Sequence, residues 1–229
     1  MNKDTNDNKN KDNDIIENIK QIGIPNMPNF ENPIQFLTII GEIEGHNLSS
    51  SDKKTTKYEH IIPMLIAAVQ DPKIKGIFII LNTVGGDVEA GLALAEMIDT
   101  IDKPKVSLVL GGGHSIGVPL ATASDYSFIV PTATMTIHPI RTTGLVIGVP
   151  QTFRYFEKMQ QRITDFILRT SSIDRSTLTK LMYSTDELAN DIGTILIGKE
   201  AVDYGLIDEV GGFSHALSKL NTLIDDKYE

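Results

Sequence analysis

Three short segments carry residues that could open an acyl bond. Gly111-Gly-Gly-His-Ser-Ile-Gly117 places Ser115 at a turn ringed by glycines, between an apolar run and a helical pattern. A serine there resembles the nucleophile-elbow arrangement, in which a tight strand-to-helix turn exposes the hydroxyl. The spacing is not G-x-S-x-G. Met135-Thr-Ile-His-Pro139 ends a short apolar run on His138, whose imidazole titrates in the range where it can take a serine proton near neutral pH. Asn82-Thr-Val-Gly-Gly-Asp87 follows another apolar run, and the N–H groups of its glycines could hold an oxyanion or a phosphate at a helix start. Singly, each has a plainer reading: Ser115 as a helix cap, His138 as a hydrogen-bonded structural ring, the glycines as a turn capped by Asp87. Together they supply a nucleophile, a base and oxyanion donors.

The elements that must position these loops are legible in the periodicity. Ile34–Ile40, Gly76–Leu81 and Val106–Leu110 read as strands, the last two apolar enough to be buried on both faces. Tyr58–Gln70 and Val88–Ile101 carry apolar residues at helical spacing, and Ile116–Ala123 reads as a buried helix. Tyr126–Val130 and Met135–Ile137 are short strands, followed by helices over Pro150–Thr170 and Ser176–Met182. Strands alternating with helices predict an α/β fold with a mainly parallel sheet, in which the three loops meet at the carboxyl ends of the strands. The long helix carries Phe153, Phe156, Met159, Ile163, Phe166 and Ile167 as a stripe facing either its own core or another subunit.

The chain has 229 residues, enough for one domain. Its net charge of −9 argues against nucleic-acid or anionic-membrane partners. There is no cysteine, which removes disulfides, thiolate metal sites and a thiol nucleophile. No metal-ligand spacing and no nucleotide fingerprint appears, so no cofactor is expected. Residues 1–30 are polar and rich in Asn, Asp and Lys, and are read as a disordered tail before a domain over 31–229. With no signal-peptide pattern and no apolar run of spanning length, a cytoplasmic protein is expected.

Asn82-Thr-Val-Gly-Gly, Gly-Gly-Gly-His-Ser-Ile-Gly117, Thr-Ile-His138-Pro and Gly198-Lys-Glu-Ala-Val-Asp-Tyr-Gly-Leu-Ile-Asp208 together resemble, in order and spacing, the signatures of the Clp protease family. The likeness runs from about Ile34 to Leu217. Gly-Gly-Gly-His-Ser-Ile-Gly-Val-Pro-Leu120, Thr-Gly-Leu-Val-Ile-Gly-Val-Pro150 and Asp191-Ile-Gly-Thr are similar to the translocation-enhancing branch of that family, which is linked to protein secretion. The resemblance implies a spiral of ββα units shared with crotonases, with a long helix projecting from the sheet. It also implies homo-oligomeric rings and a serine endopeptidase, needing no ATP of its own, that acts on peptides or unfolded segments. By position, Ser115 is the nucleophile, His138 the base, and Gly86 and Ile116 the oxyanion-hole donors, with Gly85, Gly113 and His114 beside the substrate. The third triad member maps to Gly193; Asp191, two residues away, is the expected carboxylate, with Asp186 as a substitute. Val84 and His114 depart from the family pattern, and the amino-terminal loop that meets an unfoldase ATPase is not recognised. Three other readings stand beside this one: a Ser-Lys peptidase with Lys158 as base, a non-catalytic ring scaffold that aids secretion, and acyl-CoA chemistry on the crotonase fold.

Overall fold

The computed structural model describes residues 33–47, 49–50, 52–142, 148–186 and 192–228. Pro33–Glu229 form one compact unit. The polar amino-terminal segment lies outside the described residues.

Eight strands and seven helices are described: β1 (Ile34–Glu44), β2 (Thr55–Lys57), α1 (Tyr58–Gln70), β3 (Gly76–Gly86), α2 (Val88–Thr100), β4 (Lys105–Gly113), α3 (Gly117–Thr122), β5 (Tyr126–Ile129), β6 (Thr134–Ile137), α4 (Val149–Thr170), α5 (Arg175–Met182), β7 (Thr194–Ile197), α6 (Lys199–Asp203), β8 (Glu209–Val210) and α7 (Phe213–Tyr228). The main sheet runs β2-β1-β3-β4-β5-β8, all parallel. A smaller layer grows from the end of β4, where β6 pairs in parallel and β7 joins β6 antiparallel. This is the expected α/β architecture with a mainly parallel sheet. Three short strands the sequence pattern did not single out enlarge the sheet: β2 before α1, and β7 and β8 after α4.

The apolar runs become central strands because both faces are covered. Ile77, Ile79 and Leu81 of β3 face the larger core with Leu94, Ala95 and Ile98 of α2 and Leu120 of α3. Phe78 of β3, Val106 and Leu108 of β4 and Phe128 of β5 face the other way, under Ala216, Leu220 and Ile224 of α7. Alternate side chains of a strand point to opposite faces, so an unbroken apolar run fits only a two-sided burial.

The stripe on α4 divides. Met159, Phe166 and Ile167 are buried in the chain's own core, whereas Val149, Phe153 and Tyr155 are 68%, 63% and 53% exposed. Arg162 grips Glu89 through both guanidinium nitrogens at 2.7 and 3.0 Å, and Arg169 reaches Glu96 and Asp99 on the same helix α2. These ion pairs are about half exposed, so each adds at most ~1 kcal/mol and serves mainly to set the angle of α4. Among the described residues, no helix is long and apolar enough to cross a membrane.

Helix α2 packs closely on the turn after Ser115 at Gly91. A Cβ on Gly91 would stand 2.4 Å from Ile116 Cγ1. Glycine inside a helix ordinarily costs about 1 kcal/mol relative to alanine. Here the sign is expected to reverse: Gly91→Ala should lower stability by roughly 1–3 kcal/mol through overpacking, read from urea unfolding. A more stable variant would show that α2 can give way.

Candidate active site

Loop geometry begins with Thr83, which is 1% exposed near the end of β3. Its hydroxyl donates to the Gly41 carbonyl at 2.7 Å and accepts from Gly85 N–H at 3.0 Å. Its own carbonyl accepts His114 N–H at 3.2 Å, and the next amide, Ser115 N–H, donates to Thr136 of β6 at 2.9 Å. Asn82 Oδ1 takes Gly112 N–H at 2.9 Å. Through these bonds the ends of β1 and β3, the loop after β4 and strand β6 hold one another.

Ser115 has φ +56° and is the one non-glycine residue with positive φ among those described. Such a conformation costs of order 1 kcal/mol and persists only where its surroundings enforce it, commonly at a functional turn. Val118 N–H and Gly117 N–H close the turn onto the carbonyls of Ser115 and His114. The amide of Ile116, directly before α3, has no backbone partner among the described residues. Gly85 and Gly86 have φ +90° and +151°, and a Cβ on Gly85 would lie 2.7 Å from Ser115 Cβ. Asp87 caps α2, accepting Ala90 N–H at 2.8 Å.

One cleft brings Gly86, Ser115, Ile116 and His138 together. Its walls are apolar, from Val88, Val118, Ile137, Ile163, Ile167 and Met182. Arg141 and Ile140, which were not anticipated, line it on the His138 side. Ser115 Oγ and the His138 ring form no hydrogen bond here. Such contacts are often long before substrate arrives. His138 Nδ1 stands 2.7 Å from the Pro139 carbonyl oxygen. A carbonyl can only accept, so Nδ1 carries the hydrogen and the neutral ring keeps its lone pair on Nε2.

The other anticipated residues sit differently. His114 does not line the cleft: its ring nitrogens turn to Thr136 Oγ1 at 2.8 Å and Thr134 Oγ1 at 3.4 Å. Gly85 and Gly113 act one layer back, Gly85 against Ser115 and Gly113 against Val109 and Met135. Asp191 lies outside the described residues. Asp186 is exposed and bonds Ser184 rather than His138. Gly193 is buried at φ +125°, where a Cβ would meet Ile137 O at 2.4 Å and His138 Cβ at 2.8 Å. Lys158 is exposed on α4 and does not line the cleft. Among the described residues, no three His, Asp or Glu side chains stand close enough to hold a metal.

Burial holds His114 below the usual 6.5, and the charge of a protonated His138 adds to this. The folded state therefore disfavours His114 in its cationic form. The stability this contributes is complete above the unfolded value, near 6.5, and is lost as pH falls from there through the lowered folded value. The urea midpoint is expected to drop as pH falls below the unfolded value near 6.5, and to drop less in His114→Asn. Equal drops in both proteins would remove His114 as the cause.

Known proteins resemble this chain along most of its length. The family model of Clp protease matches residues 44–213. The chain is 60% identical over 212 residues to the translocation-enhancing protein TepA of Halalkalibacterium halodurans, covering 92% of this chain and 83% of that one. It is 29% identical over 160 residues to the ATP-dependent Clp protease proteolytic subunit of Streptococcus sanguinis, covering 66% and 76%.

Proposed function

The chain belongs to the Clp protease family, and within it we propose a serine peptidase that cleaves peptides or unfolded protein segments through an acyl-enzyme on Ser115. The observation that carries the reading is the strained turn at Ser115, which shares one cleft with His138. His138 Nε2 takes the Ser115 proton as Oγ attacks the scissile carbonyl. The N–H groups of Ile116 and Gly86 receive the oxyanion, each worth about 3 kcal/mol of transition-state stabilisation. The protonated ring then gives its proton to the departing amine, and water enters by the reverse path to free the acyl group. The apolar walls suit an apolar side chain on the acyl side of the cut.

The substrate strand would lie along the glycine-rich edges as an added strand. Self-assembly into a ring is supported by the exposed apolar start of α4, namely Val149, Phe153 and Tyr155. A role in protein export follows the name of the Halalkalibacterium relative. The Ser-Lys reading loses its base, since Lys158 points to solvent.

A fluorophosphonate probe, which bonds phosphorus to an activated serine oxygen as fluoride leaves, is expected to label the intact oligomer at Ser115. Hydrolysis of an unstructured protein should fall by roughly 10⁴ or more in Ser115→Ala and in His138→Ala. A folded oligomer that neither labels nor cleaves would overturn the reading in favour of a non-catalytic scaffold.

A further inference from the structure

A base needs its second nitrogen held. The resemblance maps the orienting carboxylate to residue 193, a glycine packed against His138, and the carboxylate expected in its stead, Asp191, lies outside the described residues. The described partner of Nδ1 is instead the Pro139 carbonyl, at 2.7 Å. A carbonyl of the next residue would be a poor anchor if its peptide could turn. Two features stop it. Proline fixes its own φ, so ψ is the soft torsion left on residue 139. The amide that follows is then clamped: Ile140 N–H donates to Gln160 Oε1 of α4 at 2.8 Å.

The carbonyl and that N–H belong to one peptide unit. Such a unit is planar, and in the trans form its C=O and N–H point in opposite directions. Fixing the N–H on Gln160 therefore aims the carbonyl the other way, at His138. The side-chain amide of Gln160 has its orientation set by chemistry. Ile140 N–H can only donate, so the oxygen faces it, and the NH2 group turns to Met182 Sδ at 3.0 Å and Thr164 Oγ1 at 3.5 Å. Thr164 in turn donates to the Gln160 carbonyl at 2.9 Å. The rotamer is thus held at both ends, on a helix that Arg162 and Arg169 tie to α2.

We propose that Gln160 is a positioning residue that, through the Pro139–Ile140 peptide, holds His138 with its hydrogen on Nδ1. The inference rests on Ser115 and His138 being nucleophile and base. A neutral carbonyl supports the imidazolium by its dipole rather than by charge, so the base is oriented as in a triad but stabilised less.

The rate at which a fluorophosphonate labels Ser115 is measured on the full-length oligomer, with the site mapped by mass spectrometry. Gln160→Leu removes the acceptor and is expected to slow labelling roughly a hundredfold, as for a displaced catalytic group, with an unchanged assembly. Gln160→Glu keeps an oxygen for Ile140 N–H and should return to within about threefold of wild type, which a packing role alone would not give. Asp191→Asn and Asp186→Asn should stay within about threefold as well. If Gln160→Leu does not fold, Gln160→Asn, whose amide is drawn back by one methylene, carries the same expectation. Wild-type labelling in Gln160→Leu, no rescue in Gln160→Glu, or a loss of about a hundredfold or more in either Asp variant would overturn the positioning while leaving Ser115 and His138 in place. A wild-type protein that does not label, or a His138→Ala variant that labels as fast, would remove the underlying reading and the positioning with it.

Discussion

The hydroxyl of Thr83 gives one hydrogen bond and receives another, and both partners are main-chain groups, Gly41 C=O and Gly85 N–H. The carbonyl of the same residue holds the amide before Ser115. Parallel strands fan apart at their carboxyl ends, where ladder bonds stop and backbone groups go unpaired. Here the ladder shifts register at Gly41/Glu42 and again at Leu81/Thr83, so the need is greatest at this point. One buried threonine meets it on three sides. The positive φ of Ser115, the open glycine turn at Gly85 and the curl of β1 all depend on that junction.

Among the described residues, the candidate site is lined by main-chain groups and apolar side chains more than by charges. The cleft's walls are apolar, Arg141 is its only permanently charged side chain among the described residues, and His114 is turned away, with its cationic form disfavoured by burial. Amide N–H groups, a carbonyl and a strained turn are fixed dipoles that need no counter-ion and little reorganisation as charge develops. Such a site is only as good as the elements that hold its peptides still. Helix α4 therefore matters to it in two ways: Ile163 and Ile167 form part of the wall, and Gln160 grips the segment after His138.

Much of this was legible in the sequence, for reasons that differ by element. β3 and β4 showed as apolar runs because both faces are buried. Helices α1 and α2 showed because one face is buried and the other wet. The chemical loops stood out through glycine, whose clusters mark backbone that other residues cannot adopt. β2 and β8 were missed because three and two residues are too few for a period to register; β7, as long as β5 and β6, and helix α7 went unread although their patterns were there. The split of α4 could not be read, since a stripe shows which residues avoid water and not which neighbour covers them. Gln160 gave no sign at all: a lone polar residue on an amphipathic helix reads as solvated face. The carbonyl of Pro139 is invisible in principle, because every residue has one. Asp191, the expected carboxylate, lies outside the described residues.

The tight fit of Gly193 bears on how such a site could change over time. A side chain at 193 would need both a left-handed backbone and space now filled by the Ile137 carbonyl 2.4 Å away. No single codon change can place a carboxylate beside the imidazole there without moving β6 or the segment that packs on it. Glycine at 193 is thus part of what fixes the place of His138, because any side chain there would press on the backbone at Ile137 and His138.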